Sequence, residues 1–88
     1  MVCTVHLGSP LRQYTGGAAT VRAEGATLEE ILTDLDRRFP GMRFRMIDEQ
    51  HRIRSHIRIF VDTHEASDLQ QAVKPQQLVH LLCALSGG

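Results

Sequence analysis

Apolar and polar side chains alternate over residues 2–7, with Cys3, Val5 and Leu7 on one side and Thr4 and His6 on the other. That is the period-2 pattern of a strand with one buried face. Turn formers then dominate 8–17, where Gly16 and Gly17 are free to take positive φ, before 19–23 resumes an extended pattern. The first two strands therefore form a hairpin with a long loop. Thr27 offers a hydroxyl to the first unpaired amides of a helix, and Glu30, three residues on, can reach back as in a capping box. Leu28, Ile31, Leu32, Leu35 and Phe39 follow at i, i+3, i+4, i+7 and i+11, one apolar stripe, while Glu29, Asp34, Asp36, Arg37 and Arg38 mostly face water. Acidic residues early, arginines late and Pro40-Gly41 at the end fit the helix dipole and supply a stop.

From 42 to 55 the pattern is irregular and charged, and predicts a connection with a short turn around Asp48 and Glu49. Residues 56–62 alternate again, placing Ile57, Ile59 and Val61 inward and leaving His56, Arg58 and Phe60 outward. The stretch 63–77 is polar and turn-like, anchored by Leu69 and Val73. A last strand over 78–85 puts Val79, Leu81 and Cys83 inward, with Leu78, His80 and Leu82 outward. Strand, strand, helix, strand, strand in so short a chain is an α+β plan: one main helix covers one face of a small mixed sheet, and the other face stays largely open. The expected organisation is a single domain over 1–85 followed by a Gly-Gly tail, 86–88.

Composition narrows the partners. At 88 residues the chain can bury one modest core. Ten basic and ten acidic residues cancel, so no overall field draws it to nucleic acid or anionic lipid. Seven of the ten basic residues lie between Arg37 and Arg58, but Asp48 and Glu49 are interleaved and aromatics are few, which argues against a nucleic-acid face. No stretch has the length and apolarity of a spanning helix or a signal peptide, and the expected location is the cytoplasm. Cys3 and Cys83 fall inside apolar runs and read as packing residues; a disulfide would require the two terminal strands to be neighbours, and a cytosolic setting disfavours it. None of His6, His51, His56, His64 and His80 stands at a familiar ligand spacing from another His or Cys, so no metal is expected. A free-standing enzyme is disfavoured too: no nucleophile pairs with a base, and so small a core leaves little volume for a pocket.

The end of the sequence, Ser86-Gly87-Gly88, is the candidate for the chemistry, with a flexible linker stub as the alternative. At the usual glycine frequency a chance Gly-Gly ending has a probability of roughly 0.5%. Five segments in order, Leu11-Arg12-Gln13-Tyr14-Thr15-Gly16-Gly17, Thr27-Leu28-Glu29-Glu30-Ile31-Leu32, Phe39-Pro40-Gly41, Ile57-Arg58-Ile59-Phe60-Val61-Asp62 and Ala84-Leu85-Ser86-Gly87-Gly88, resemble the ThiS/MoaD family of sulfur carriers. Asp62-Thr63-His64 and Lys74-Pro75-Gln76-Gln77 depart from the family pattern in two loops, where partner identity rather than fold is decided.

The resemblance implies a β-grasp, ubiquitin-like fold and a carrier with no catalytic residue of its own. It implies that a ThiF/MoeB-like adenylating enzyme, using its own ATP, converts the Gly88 carboxylate to an acyl-adenylate. A persulfide or sulfide then turns that group into a thiocarboxylate, which serves a sulfur-accepting biosynthetic enzyme. Gly87 and Gly88, with no Cβ, suit a narrow channel. Phe60, Leu82, His80 and Arg58 are the expected docking surface, since large apolar side chains on an open sheet face with polar neighbours fit such a patch. The alternative for Phe60 and Leu82 is packing beneath 42–55. The alternatives for the whole protein are a modifier joined to lysines through Gly88 and a passive interaction module.

Overall fold

The computed structural model describes residues 2–83. Strand β1 (Val2–Leu7) leads through a 3-10 helix (Ser9–Thr15) to β2 (Thr20–Glu24), then α1 (Leu28–Arg38) and α2 (Met42–Met46). Strands β3 (Ile57–Val61), β4 (His64–Glu65) and β5 (Leu78–Cys83) complete one five-stranded sheet of order β2-β1-β5-β3-β4. The central pair, β1 and β5, is parallel and every other pair is antiparallel, so the sheet is mixed as the order of elements in the α+β plan predicts. No helix among the described residues is long and apolar enough to cross a membrane.

The stripe of α1 seals one face of this sheet. Leu28, Ile31, Leu32 and Leu35 have no exposed surface, and they meet Val5, Leu7, Ile59, Val79 and Leu81 in a single core. Each such side chain contributes about 1.5–3 kcal/mol by leaving water. Thr27 caps the helix by accepting from the Glu30 N–H at 3.3 Å, but Glu30 Oε1 accepts from Ala26 N–H at 2.7 Å, one residue earlier than a capping box would have it. The next two amides, which no helix can satisfy internally, donate to the segment that Leu69 and Val73 anchor: Leu28 N–H to Gln71 C=O and Glu29 N–H to Leu69 C=O. Asp34 ties the helix to β2, accepting from Glu24 N–H at 3.0 Å and pairing with Arg37 and Arg38. The Glu24 N–H, ahead of the two arginines, holds its carboxyl below the usual range. Arg38 also donates to Arg22 C=O, which blunts the exposed edge of β2.

Three segments differ from the sequence expectation. The loop after β1 is a seven-residue 3-10 helix, started by Pro10 in its first turn, pinned by buried Leu11 and stopped by Gly16 at φ 67°. The 42–55 connection contains α2: Met42 and Met46, one turn apart, are buried, and Asp36 of α1 accepts from Gly41 and Arg43 N–H to cap it. One turn with two apolar residues has too little periodicity to read as a helix. Third, 63–77 begins with β4, whose two residues pair with Phe60 and Val61 across the Asp62-Thr63 turn. The turn around Asp48 is present, closed by the Ile47–Ile53 bridge.

The terminal strands are neighbours, yet no disulfide can form. Parallel register sets Thr4 opposite Leu78, so Cys3 lies six residues from the level of Cys83, about 20 Å along the strands. Both thiols are free, and burial raises the Cys3 pKa. Cys83, expected inward, is half-buried at the end of β5.

Among the described glycines, Gly25 has the least room for a side chain. A Cβ there would stand 2.7 Å from Glu30 Cβ and 2.8 Å from Ile31 N, in a conformation of φ +158°. Gly25→Ala is expected to cost about 1–3 kcal/mol, as overpacked sites do. Chemical denaturation with an unchanged midpoint would contradict this.

Candidate docking face and carrier end

The outward residues of the central strands gather on the open sheet face. Because Ile57, Ile59 and Val61 turn inward on β3, and Val79 and Leu81 on β5, their alternates Arg58, Phe60, His80 and Leu82 share the other side. Register brings them together: Arg58 lies opposite Leu82, and Phe60 opposite His80. Phe60, His80 and Leu82 are half-buried and Arg58 is exposed, with a guanidinium nitrogen 3.1 Å from Glu65 Oε2. Packing beneath 42–55 does not occur, since α2 lies against α1 on the far side of the sheet.

One member of this face escapes sequence reasoning. His6 of β1 sits directly opposite His80, with ring centroids 5.7 Å apart in an edge-to-face arrangement. A continuous row therefore crosses the sheet, Thr20, His6, His80, Phe60 and Glu65. The five histidines are not all scattered, as their spacing in sequence suggests. The signal that existed was the outward phase of His6 and His80 in the two terminal strands; their parallel pairing is set by tertiary structure. Among the described residues no group of three or more His, Cys, Asp or Glu is placed to hold a metal ion.

A second departure concerns pockets. In place of the expected lack of room, the structure has an open surface cleft of about 840 Å³ between 51–58 and 65–70, lined by Arg52, Ile53, Arg54, Ile57, Arg58 and Leu69 among others. The remaining site residues, Ser86, Gly87 and Gly88, lie outside the described residues, as do residues 84 and 85 of the expected last strand. The last described residue, Cys83, pairs with Ile57 at the start of β3.

No family model matches the chain. The sulfur carrier protein CysO of Mycobacterium tuberculosis is 31% identical over 93 aligned residues, which take in the whole of both chains. The chain belongs to the CysO sulfur carrier family. In three dimensions it superposes on a chain of the Amycolatopsis orientalis BexX/CysO complex with a TM-score of 0.89 at 31% identity, covering 98% of this chain and 99% of that one. SAMP1 from Haloferax volcanii, at 23% identity and full coverage of both chains, shares the fold with a TM-score of 0.83. The architecture of this CysO relative is accordingly the β-grasp, ubiquitin-like plan of ThiS/MoaD-type carriers.

The two faces of β5 make a direct comparison. Leu81 is fully buried and its neighbour Leu82 half-buried on the open side. Leu81→Asp should cost more than about 3 kcal/mol, because the charge has no partner in the core, whereas Leu82→Asp should stay within about 1 kcal/mol of the parent. Equal losses in thermal denaturation would contradict the assignment of faces.

Proposed function

We propose that this sulfur carrier works through the carboxylate of Gly88, the last residue of the sequence, as a protein co-substrate of partner enzymes. The observation that carries the reading is the end-to-end match to proteins named as sulfur carriers, together with a Gly-Gly ending on a β-grasp body. A terminal carboxyl has a pKa near 3.5, so at neutral pH it is an ionised nucleophile without assistance.

The sequence of bonds follows. A carboxylate oxygen attacks the α-phosphorus of an ATP held by a ThiF/MoeB-like adenylating enzyme, and pyrophosphate leaves. Hydrosulfide attacks the acyl carbon and AMP leaves, giving a thiocarboxylate. With a persulfide donor the product is an acyl disulfide, from which a second thiol releases the thiocarboxylate. That group then passes its sulfur to a biosynthetic acceptor enzyme. ATP belongs to the activating enzyme, and the carrier itself contributes no catalytic side chain. Glycine at 87 and 88 lets the end approach a nucleotide closely, where any Cβ would obstruct.

The folded body supplies recognition. Phe60, His80 and Leu82 offer an apolar centre, with Arg58 at its rim, to the activating enzyme. The Amycolatopsis CysO is found in complex with BexX, which supports a carrier that works by docking to other proteins.

With ATP and an activating enzyme, the parent protein should drive pyrophosphate release, and removal of Gly87 and Gly88 should abolish it. Leu82→Asp should lower it by at least about tenfold through weaker docking. Pyrophosphate release that survives deletion of both glycines would overturn the reading, and no release from the parent would favour a passive interaction module.

A further inference from the structure

Phe44 has no role in the core or on the sheet face, yet it is 61% exposed, well above Val2, the other exposed large apolar residue among those described. Met42 and Met46 turn α2 inward, so Phe44 points away from the core by helical spacing. The ring is nevertheless held in place. The Arg54 guanidinium lies 4.7 Å from its centroid, Arg54 Nε donates to Phe44 C=O at 2.8 Å, and Arg54 N–H donates to Met46 C=O at 2.9 Å. An aromatic side chain fixed on an exposed turn with a cation on one face is the composition of an interface anchor.

Charge accompanies it. Over 42–58 five arginines face only two carboxylates, Asp48 and Glu49. Arg43 is taken up by Glu29 and Arg58 by Glu65. Arg52 stands 3.9 Å from Asp48, whose other oxygen already accepts the Gln50 and Arg52 amides, and no ion pair of Arg45 or Arg54 occurs among the described residues. Arg54, whose guanidinium lies over the exposed Phe44 ring, lines the 840 Å³ cleft together with Arg52 and Ile57, and Arg45 follows Phe44 in the chain. Since Ile57 pairs with Cys83, a protein that takes up the residues after Cys83 comes alongside this surface.

We propose that Phe44, Arg45, Arg52 and Arg54 form a second docking surface, for the partner that takes sulfur from the carrier, and that this partner presents carboxylates around an apolar recess for the Phe44 ring. The proposal rests on the carrier reading. The two partners are met in succession, and the two faces differ in chemistry: apolar and imidazole-bearing on the sheet, aromatic and cationic here. Phosphate would also attract these arginines, but Asp48 and Glu49 among them and the zero net charge favour a protein.

The test takes Amycolatopsis BexX as the sulfur-accepting partner, because it is held in complex with a CysO 31% identical to this chain, and titrates it into the isotope-labelled full chain, followed by NMR and calorimetry. Shifts should concentrate on the amides of Phe44, Arg45, Arg52 and Arg54. Phe44→Ala should weaken binding at least about tenfold. The double variant Arg45→Gln/Arg52→Gln should remove most of the affinity loss that the parent shows between roughly 50 and 300 mM salt. Both variants should support pyrophosphate release at the parental rate. Absence of BexX binding, variant affinities within about twofold of the parent, or equal affinity for an oligonucleotide would each overturn the proposal. Failure of the parent in the pyrophosphate assay would instead fell the carrier reading.

Discussion

The parallel pairing of β1 with β5 is the contact on which the rest depends. These strands come from opposite ends of the chain and meet at the centre of the sheet, so neither local propensity nor a turn brings them together. Their union is stabilised from one side by α1, whose Leu28, Ile31, Leu32 and Leu35 rest on Val5, Leu7, Val79 and Leu81. Such non-local pairing is entropically expensive to close, and an uninterrupted apolar stripe on the helix compensates for it. The same pairing decides what the open face displays, because it sets His6 against His80 and carries Phe60 and Leu82 alongside.

Charge in this CysO relative is settled locally and not as a field. Arg37 and Arg38 serve Asp34 and the β2 edge, Arg43 serves Glu29, and Arg58 serves Glu65. The arginines of 37–58 are, in space, a set of separate ties, with Arg54 over the Phe44 ring and no ion pair of Arg45 or Arg54 among the described residues. That distinction matters for a carrier: a broad positive field would recruit many polyanions, whereas two compact patches of different chemistry can select partners.

Elements with strong periodicity were legible from sequence, and those defined by tertiary contact were not. The α1 stripe, its Thr27 cap and the inward phase of Ile57, Ile59, Val61, Val79 and Leu81 all follow from spacing alone. Helix α2 could not be read, because its cap comes from Asp36 in the preceding helix and its core contribution is only Met42 and Met46. Strand β4 is two residues long, below any pattern length. On the open face, Phe60, His80, Leu82 and Arg58 could be grouped from alternation, while His6 joined them only through the β1–β5 register. Phe44 carries no signal in the sequence, since an apolar residue in an irregular charged stretch is indistinguishable from core, and it is the burial of Met42 and Met46 that takes that place.

The central claim is that the terminal carboxylate of this carrier is where sulfur is loaded. Intact mass of the protein isolated from cells that use it tests the claim most directly. Exchange of one oxygen for sulfur at Gly88 adds about 16 Da, and the sulfur so placed can be alkylated to a thioester, which adds the mass of the alkyl tag at the C-terminal peptide. The account predicts a population carrying that increment at the C-terminal peptide. Material without any such species, with Gly88 found instead in isopeptide linkage to lysines of other proteins, would contradict it.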